Sequence, residues 1–498
     1  MSLRKSMAAA SAVDQRSTRT PAAAITWILP CILAVSISAS GKASSTDWPQ
    51  FRGPRFDNNF PGERIPAEFG PDKNVAWKKP IPSGHGSPCI VGDQIFLTAF
   101  DGTNSLETLS LNRRNGGILW RRPIAPDRLE TYFTKLGSPA TSTCASDGQR
   151  VISYFGSFGL LCYDLDGREL WRVPLPLPQT DDGFGSGTSP ILHDGMAYLL
   201  RDEDGPGQGI YAFDVKSGKE VWKRKRDGFR ISFGSPVIWD GCVVAIGDLR
   251  LKAYDLKTGG DRWVAHGFAA CPCTTPAPGS DGNLYVATWS NGAGNERNMP
   301  EWKDFLAGTD RDKDGKVSKS DTEGTGLADF FSRFDRNQNG FIDREEWQRA
   351  LDGLSRGKNV VLALKPGGQG DITETHVRWT NTKGAPYVAS PLFHEGRLYL
   401  VKDGGLLTVY ETSTGKVLAD KERLGVIGDY YASPVAVGGK IIIASQSGVV
   451  LALKAGEQPE VLSQANLGES IFATPVVADN TLYVRTASHL WAFRDNGA

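Results

Sequence analysis

Short apolar runs of strand length, broken by turns rich in Gly, Asn and Asp, recur along most of this chain. Eight of them open behind a Ser-Pro or Thr-Pro dipeptide, at Pro88, Pro139, Pro190, Pro236, Pro276, Pro391, Pro434 and Pro475. Most spacings between these prolines lie between 40 and 51 residues, the length of one four-stranded propeller blade; the step from Pro276 to Pro391 is 115. Within a unit the Pro leads into a short strand, a Gly or Asn turn and a second strand such as Gly241–Ile246; a third strand and a hairpin follow, and a fourth strand starts near a Trp. The clearest hairpins are Ala212-Phe213-Asp214-Val215-Lys216-Ser217-Gly218-Lys219-Glu220-Val221-Trp222 and Ala253 to Trp263, with looser copies ending at Trp120, Trp171 and Trp379. Asp supplies a side-chain acceptor for such a turn, and Gly tolerates positive φ. The last unit stops at Leu490-Trp491-Ala492-Phe493, one strand short, and Asn74-Val75-Ala76-Trp77-Lys78 is the expected source of the missing outer strand.

Composition narrows the class. Fifty-seven Gly and 29 Pro in 498 residues suit many short strands, and 40% apolar with 22% charged residues fits a globular protein. Lys plus Arg and Asp plus Glu are 56 each, so no global field favours nucleic acid. Arg4, Lys5, Arg16 and Arg19 precede an apolar run from Ala22 to Ile37 that ends in Ser38-Ala39-Ser40-Gly41, the pattern of a signal peptide over 1–43. The chain is therefore expected to be exported, periplasmic or extracellular, with no membrane span in the mature chain; an uncleaved N-terminal anchor is the alternative. Six cysteines follow, Cys89, Cys144, Cys162, Cys242, Cys271 and Cys273, without a Cys-x-x-Cys pair, which argues against zinc. Cys271 and Cys273 are expected to be two packed thiols.

The long fifth unit holds the sharpest chemical signal. Asp310 to Asp321 fits the twelve-residue calcium loop at nearly every liganding position, and Asp335 to Glu346 fits it throughout. Calcium needs six to eight hard oxygens. Asp310, Asp312 and Asp314 in the first loop, and Asp335, Asn337 and Asn339 in the second, supply positions 1, 3 and 5. Gly315 and Gly340 allow the turn, the carbonyls of Lys316 and Phe341 stand at position 7, and Asp321 and Glu346 close the two shells. Asp321 is shorter than the usual Glu, and Gly324 and Gly326 follow closely, so the first loop is expected to bind more weakly and to lack a full exiting helix. Val317 and Ile342 at position 8 are expected to pair the loops, with Trp302, Phe305, Phe330, Phe331, Phe334, Trp347, Ala350 and Leu354 on flanking helices.

The hairpin pattern, Ala-x-Asp-x-x-Thr-Gly-x-x-x-Trp, resembles the pyrroloquinoline-quinone-type propeller repeat, and the resemblance spans Trp48 to Phe493 apart from the insertion. Trp48-Pro49-Gln50-Phe51-Arg52-Gly53-Pro54 also resembles the start of exported members of that family. The resemblance implies an all-β, eight-bladed β-propeller over 44–289 and 359–498, with a helical EF-hand pair over 290–358 in the fifth blade. It further implies that Trp77, Trp120, Trp171, Trp222, Trp263 and Trp379 pack between blades, and that the insertion sits near the mouth of the central channel. Tyr132, Phe133, Phe184, Phe233, Tyr387, Tyr430, Tyr431 and Phe472 precede inner strands and are expected to pack against them; His85, Arg230, Asp429 and Glu469 in the same connections are expected to be solvated.

The family holds quinone- and calcium-dependent dehydrogenases, which have an acidic base, acidic and amide calcium ligands and an adjacent-cysteine disulfide, and cofactor-free members that bind proteins. No two cysteines are adjacent here, and no catalytic or quinone-binding residue is assigned. The expected function is a calcium-binding, non-catalytic scaffold with a protein or glycan partner at the propeller face. The alternatives are a pyrroloquinoline-quinone-dependent dehydrogenase of alcohols or sugars and a calcium-dependent carbohydrate or cell-surface binding module.

Overall fold

The computed structural model describes residues 47–495 except 61, 181–182, 204, 230, 291–299, 329–330 and 336–338. The expected leader over 1–43, Arg230, Phe330 and the calcium-loop residue Asn337 lie outside the described residues.

The strand-length runs form eight antiparallel, four-stranded blades. Blade 1 runs outwards from the channel as Cys89–Val91, Gln94–Phe100, Leu106–Asn112 and Ile118–Ile124. Its two middle strands are buried at nearly every position because a neighbouring blade covers each face, whereas the outer strand alternates with exposed residues. Blades 2 to 4 repeat this pattern from Ala145–Ser146 to Asp261–His266. In blade 5 the insertion separates the second strand, Leu284–Thr288, from the third, Val360–Leu364. Blade 8 has three strands from the C-terminal end, and Val75–Pro80 pairs antiparallel with His489–Phe493 as its fourth, as expected.

A closed circuit of hydrogen bonds joins the blades at the start of each inner strand. The backbone N–H of Ser87 donates to Thr143 Oγ1 (2.9 Å), Thr143 to Ser189 (3.0 Å), Ser189 to Ser235 (2.9 Å), and Ser235 to Thr275 (2.9 Å). Thr275 then donates to Ser390 (2.9 Å), Ser390 to Ser433 (3.0 Å), Ser433 to Thr474 (3.0 Å), and Thr474 back to Ser87 (3.1 Å). This circuit corrects the second repeat. Its opening pair is Thr143-Cys144, not Ser138-Pro139, which lies in the connection from blade 1. The ring needs a hydroxyl acceptor at that position; the following Pro is dispensable.

The repeat Trp residues pack between blades for a specific reason. Trp120 Nε1 donates to Leu165 O (2.8 Å), Trp171 to Val215 O (3.0 Å), Trp222 to Leu256 O (3.1 Å) and Trp379 to Thr412 O (2.8 Å), each carbonyl lying at the hairpin of the next blade. Trp77 on the closing strand reaches Arg113 O (3.1 Å) in the same way. The hairpin glycine lies over the indole: Gly218 and Gly259 have φ of 69° and 67°, and a Cβ on either would fall 2.6 Å from the ring of Trp171 or Trp222. Trp263 is buried without this partner, because the longer hairpin of blade 5 adds Gly370–Asp371 in parallel to Trp263 and Val264.

The segment Asp47–Phe60 fills the central channel. Trp48 and Ile90 exchange backbone hydrogen bonds (both 2.8 Å), Pro49 O accepts from Ser146 N (2.8 Å), and Gln50 Oε1 accepts from Leu192 N (2.7 Å). Arg52 Nη2 donates to Pro391 O (2.7 Å), Asn58 Nδ2 to Pro434 O (3.1 Å), and Asn59–Phe60 pairs parallel with Ala436–Val437. Asp47 meets Gly92 N, and Arg64 N meets Asn480 Oδ1, both in turns between first and second strands. The segment therefore enters and leaves by that face, while Phe51 reaches the mouth on the other.

Candidate metal centre and channel mouth

The insertion builds two paired loops. A helix over Trp302–Thr309 leads into the first loop, and a capped helix over Arg344–Arg356 leaves the second. Val317 pairs with Ile342 and Ser318 with Phe341 in an antiparallel contact, as position 8 predicts. Behind it Phe305, Val317, Phe331, Ile342 and Trp347 form a separate small core, in which Phe305 stacks on Trp347 with centroids 3.4 Å apart.

In the first loop the carboxylate oxygens of Asp310, Asp312 and Asp314 lie within 4.8 Å of one another. Asp310 accepts from Asp314 N (3.3 Å) and Gly315 N (2.9 Å), which folds the loop around its first acid, and Lys316 N donates to Asp314 Oδ1 (2.9 Å). Asp321 is turned back into the loop: it accepts from Ser318 N (2.8 Å), Ser318 Oγ (2.5 Å) and Arg311 N (3.0 Å). A single 3-10 turn, Ser320–Thr322, stands where a full exiting helix was expected to be lacking. In the second loop Asp335 accepts from Asn339 N and Gly340 N (both 3.0 Å), and Phe341 N donates to Asn339 Oδ1 (2.9 Å). Glu346 and Asp343 form a reciprocal capping box, with Asp343 N on Glu346 Oε2 (3.0 Å) and Glu346 N on Asp343 Oδ1 (2.9 Å). Asp335 and Glu346 are buried.

The insertion leaves blade 5 at the channel mouth. Trp289, at its root, meets Tyr387 edge-on at 5.2 Å, and Lys402 Nζ lies 4.9 Å from the Trp289 ring. Tyr387 lines a cavity of about 320 Å3, a size suited to a small ligand or an anchoring side chain. Its floor holds Phe51 and all eight hydroxyls of the Ser/Thr ring. Its walls include Phe184, Phe233, Tyr387, Tyr431 and Phe472, so these aromatics do more than pack behind strands; Tyr430 by contrast is fully buried. Cys271 and Cys273 also line it, and the six described cysteines are free thiols.

His85 departs from its expected solvated state. It is stacked on Phe472 with centroids 4.1 Å apart, and burial together with the nearby Arg485 guanidinium pushes its pKa down to about 3, so it stays neutral. Glu469 is engaged by Thr486, Ser488 and His489. The hydroxyl ring, the N-terminal plug and Arg485 were not foreseen from the sequence. Of these, the ring had a signal in the Ser or Thr that precedes every repeat Pro, although the ring member Thr143 is followed by Cys144.

Comparison with known proteins agrees with this architecture. A family model described as outer membrane protein assembly factor BamB matches residues 104–270, and an EF-hand model matches residues 327–351. A serine/threonine-protein kinase AfsK of Streptomyces coelicolor is 24% identical over 247 residues, covering 46% of this chain and 25% of the kinase. The assembly factor BamB of Burkholderia pseudomallei is 25% identical over 213 residues, covering 40% of this chain and 49% of that protein. The chain thus spans half or less of the length of either relative. Among solved structures, BamB from Moraxella catarrhalis aligns with a TM-score of 0.52 at 14% identity, over 84% of this chain and 98% of that one. The quinohemoprotein alcohol dehydrogenase of Comamonas testosteroni aligns with the same score at 13% identity, over 91% and 81%. With its eight blades, repeat hairpins and paired loops, the chain is a pyrroloquinoline-quinone-repeat β-propeller that carries an EF-hand insertion in its fifth blade.

Proposed function

We propose that this protein is an exported, non-catalytic binding scaffold in which calcium at the EF-hand pair stiffens a cap beside the channel mouth. The observation that carries the reading is the contact of Trp289, at the root of the insertion, with Tyr387, at the wall of the mouth cavity. The partner is a protein or glycan that docks at this face. The domain limits follow the same division, with a leader over 1–43, propeller over 44–289 and 359–498, and the calcium module over 290–358.

The residues present fit calcium. Three carboxylates within 4.8 Å repel one another unless a cation lies among them, and Asp335 is already oriented by two loop amides. Asp335, Asn337, Asn339, the Phe341 carbonyl and Glu346 would hold the stronger ion. Asp310, Asp312, Asp314, the Lys316 carbonyl and Asp321 would hold the weaker one. The bound ion supplies an electrostatic cross-link between the flanking helices. The residues fit the dehydrogenase reading poorly. That reading needs acidic groups facing the quinone, as base and as ligands of its calcium; the described lining of the mouth contains no Asp or Glu, and the nearest acids stand behind it, Asp248 at Cys271 and Asp403 and Asp429 near Tyr431.

One experiment separates the readings. Chelator-stripped protein is titrated with calcium by calorimetry, then supplied with calcium and pyrroloquinoline quinone and assayed for dye reduction over a panel of alcohols and sugars. One strong and one weaker calcium site without dye reduction is the expected result. Quinone-dependent reduction with any of these substrates would overturn the scaffold reading. No described helix is long and apolar enough to cross a membrane, and export is checked by the N-terminus of the protein recovered from the producing cell.

A further inference from the structure

A second cavity, of about 410 Å3, opens beside the mouth between the connections of blades 8, 1 and 2, and shares His85, Gly137 and Phe472 with it. Its walls carry two cations, Arg485 and Lys135, and no described carboxylate. Arg485 is 1% exposed. It donates from Nη1 to Gly86 O (2.8 Å) and from Nη2 to Pro82 O (3.3 Å), and its Nε has no partner among the described residues. No acid among the described residues pairs with it. The acids flanking the cavity in sequence are taken: Asp101 accepts from Thr103 and Ser105, and Glu469 from Thr486, Ser488 and His489. Lys135 is exposed and makes no ion pair among the described residues.

A guanidinium buried without a counter-ion costs several kcal/mol, and an anion delivered from outside removes that cost. The side cavity therefore suits an anionic group. The mouth suits an apolar group instead: its described lining has aromatic rings, hydroxyls and thiols but no Lys or Arg. His85, neutral and stacked on Phe472, forms the shared wall between the two. We propose that the two cavities together bind an apolar organic acid, with its single carboxylate in the side cavity at Arg485 and Lys135 and its apolar body against the aromatic wall of the mouth. This deepens the scaffold reading and rests on the mouth being a binding site.

The test uses the full calcium-loaded protein, titrated with naphthalene-2-carboxylate and separately with its neutral analogue, 2-naphthylmethanol. The acid is expected to bind roughly tenfold more tightly than the alcohol, since a charge-assisted hydrogen bond is about twice as strong as a neutral one. Lys135→Glu, an exposed change that leaves the fold intact, should weaken the acid and spare the alcohol. Arg485→Gln should abolish the preference, provided its circular dichroism spectrum is native. Equal binding of acid and alcohol, or unchanged acid binding in Lys135→Glu, would overturn the acid site and leave the mouth as a binding site. Binding of neither probe to folded protein would overturn both.

Discussion

At the scale of single residues, the ring of hydroxyls makes the sharpest demand. Each accepts a backbone N–H from the neighbouring blade at the start of its inner strand, and these groups are buried. Ser235→Ala leaves the amide of Ser189 without an acceptor, which should cost about 1–3 kcal/mol in denaturant unfolding. Ser235→Thr should cost far less, since Thr fills the same role at 143, 275 and 474. Equal losses for the two variants would show that packing, not the hydroxyl, matters there. Glu130 makes a different demand. It is 3% exposed, accepts from Ser186 N (2.8 Å), and has one carboxylate oxygen without a partner among the described residues. Burial pushes its pKa up to about 7 against the pull of Ser186 and Arg201, with Glu203 and Tyr154 nearby. A carboxyl raised in the folded state binds its proton more tightly there than in the unfolded chain. Its stabilising effect is thus complete below about pH 4.5 and is lost as pH rises towards 7. Stability should fall by about 2 kcal/mol between pH 5 and pH 8 from this group, and Glu130→Gln should flatten that slope. An unchanged slope in the variant would assign the pH dependence elsewhere.

At the scale of elements, the strands and the calcium loops were legible because each carries a local pattern that its surroundings reinforce. The run at 242–247 reads as a strand from a short apolar stretch behind a Gly turn, and the ring of blades then buries it on both faces. Val317 and Ile342 read as partners from loop position alone. The second repeat was misplaced because Ser138-Pro139 imitates the opening pair, while the structural requirement, a hydroxyl at Thr143, carries no Pro to mark it. The mouth was harder still. Phe184, Phe233 and Phe472 belong to separate repeats, and only ring closure brings their connections to one cavity. The calcium module gives the prediction at this scale. Its small core is separate from the propeller's, and Asp335 organises the second loop through two amides. Asp335→Ala should abolish the stronger calcium site and most of the calcium-dependent rise in thermal stability. At calcium one hundred times the dissociation constant, that linkage is worth about 2.7 kcal/mol. Calcium-dependent stability unchanged in Asp335→Ala would remove the clamp.

At the scale of the whole molecule, two segments from one end of the chain complete the ring, and they act differently. Val75–Pro80 closes blade 8 edge to edge, which removes the free sheet edges of an open ring. Asp47–Phe60 instead works from the axis, joining blades 1, 2, 3, 6 and 7 through backbone groups that would otherwise face an empty channel. Trp48 holds this plug: it is 1% exposed, stacks on Phe60 with centroids 4.4 Å apart, and exchanges two hydrogen bonds with Ile90. Truncation to Ala should cost about 3–5 kcal/mol, the range for a buried aromatic. The loss should be localised, because the ring closes without the plug. The amides of Ser146, Leu192 and Ala436 bond to Pro49, Gln50 and Asn58 of the plug, whereas those of Ser189 and Ser390 bond only within the ring. Native-state hydrogen exchange of Trp48→Ala should therefore accelerate the first three amides far more than the last two. If all five accelerate together, plug and ring are one cooperative unit, and the floor that Phe51 gives the mouth cavity persists only as long as the whole propeller does.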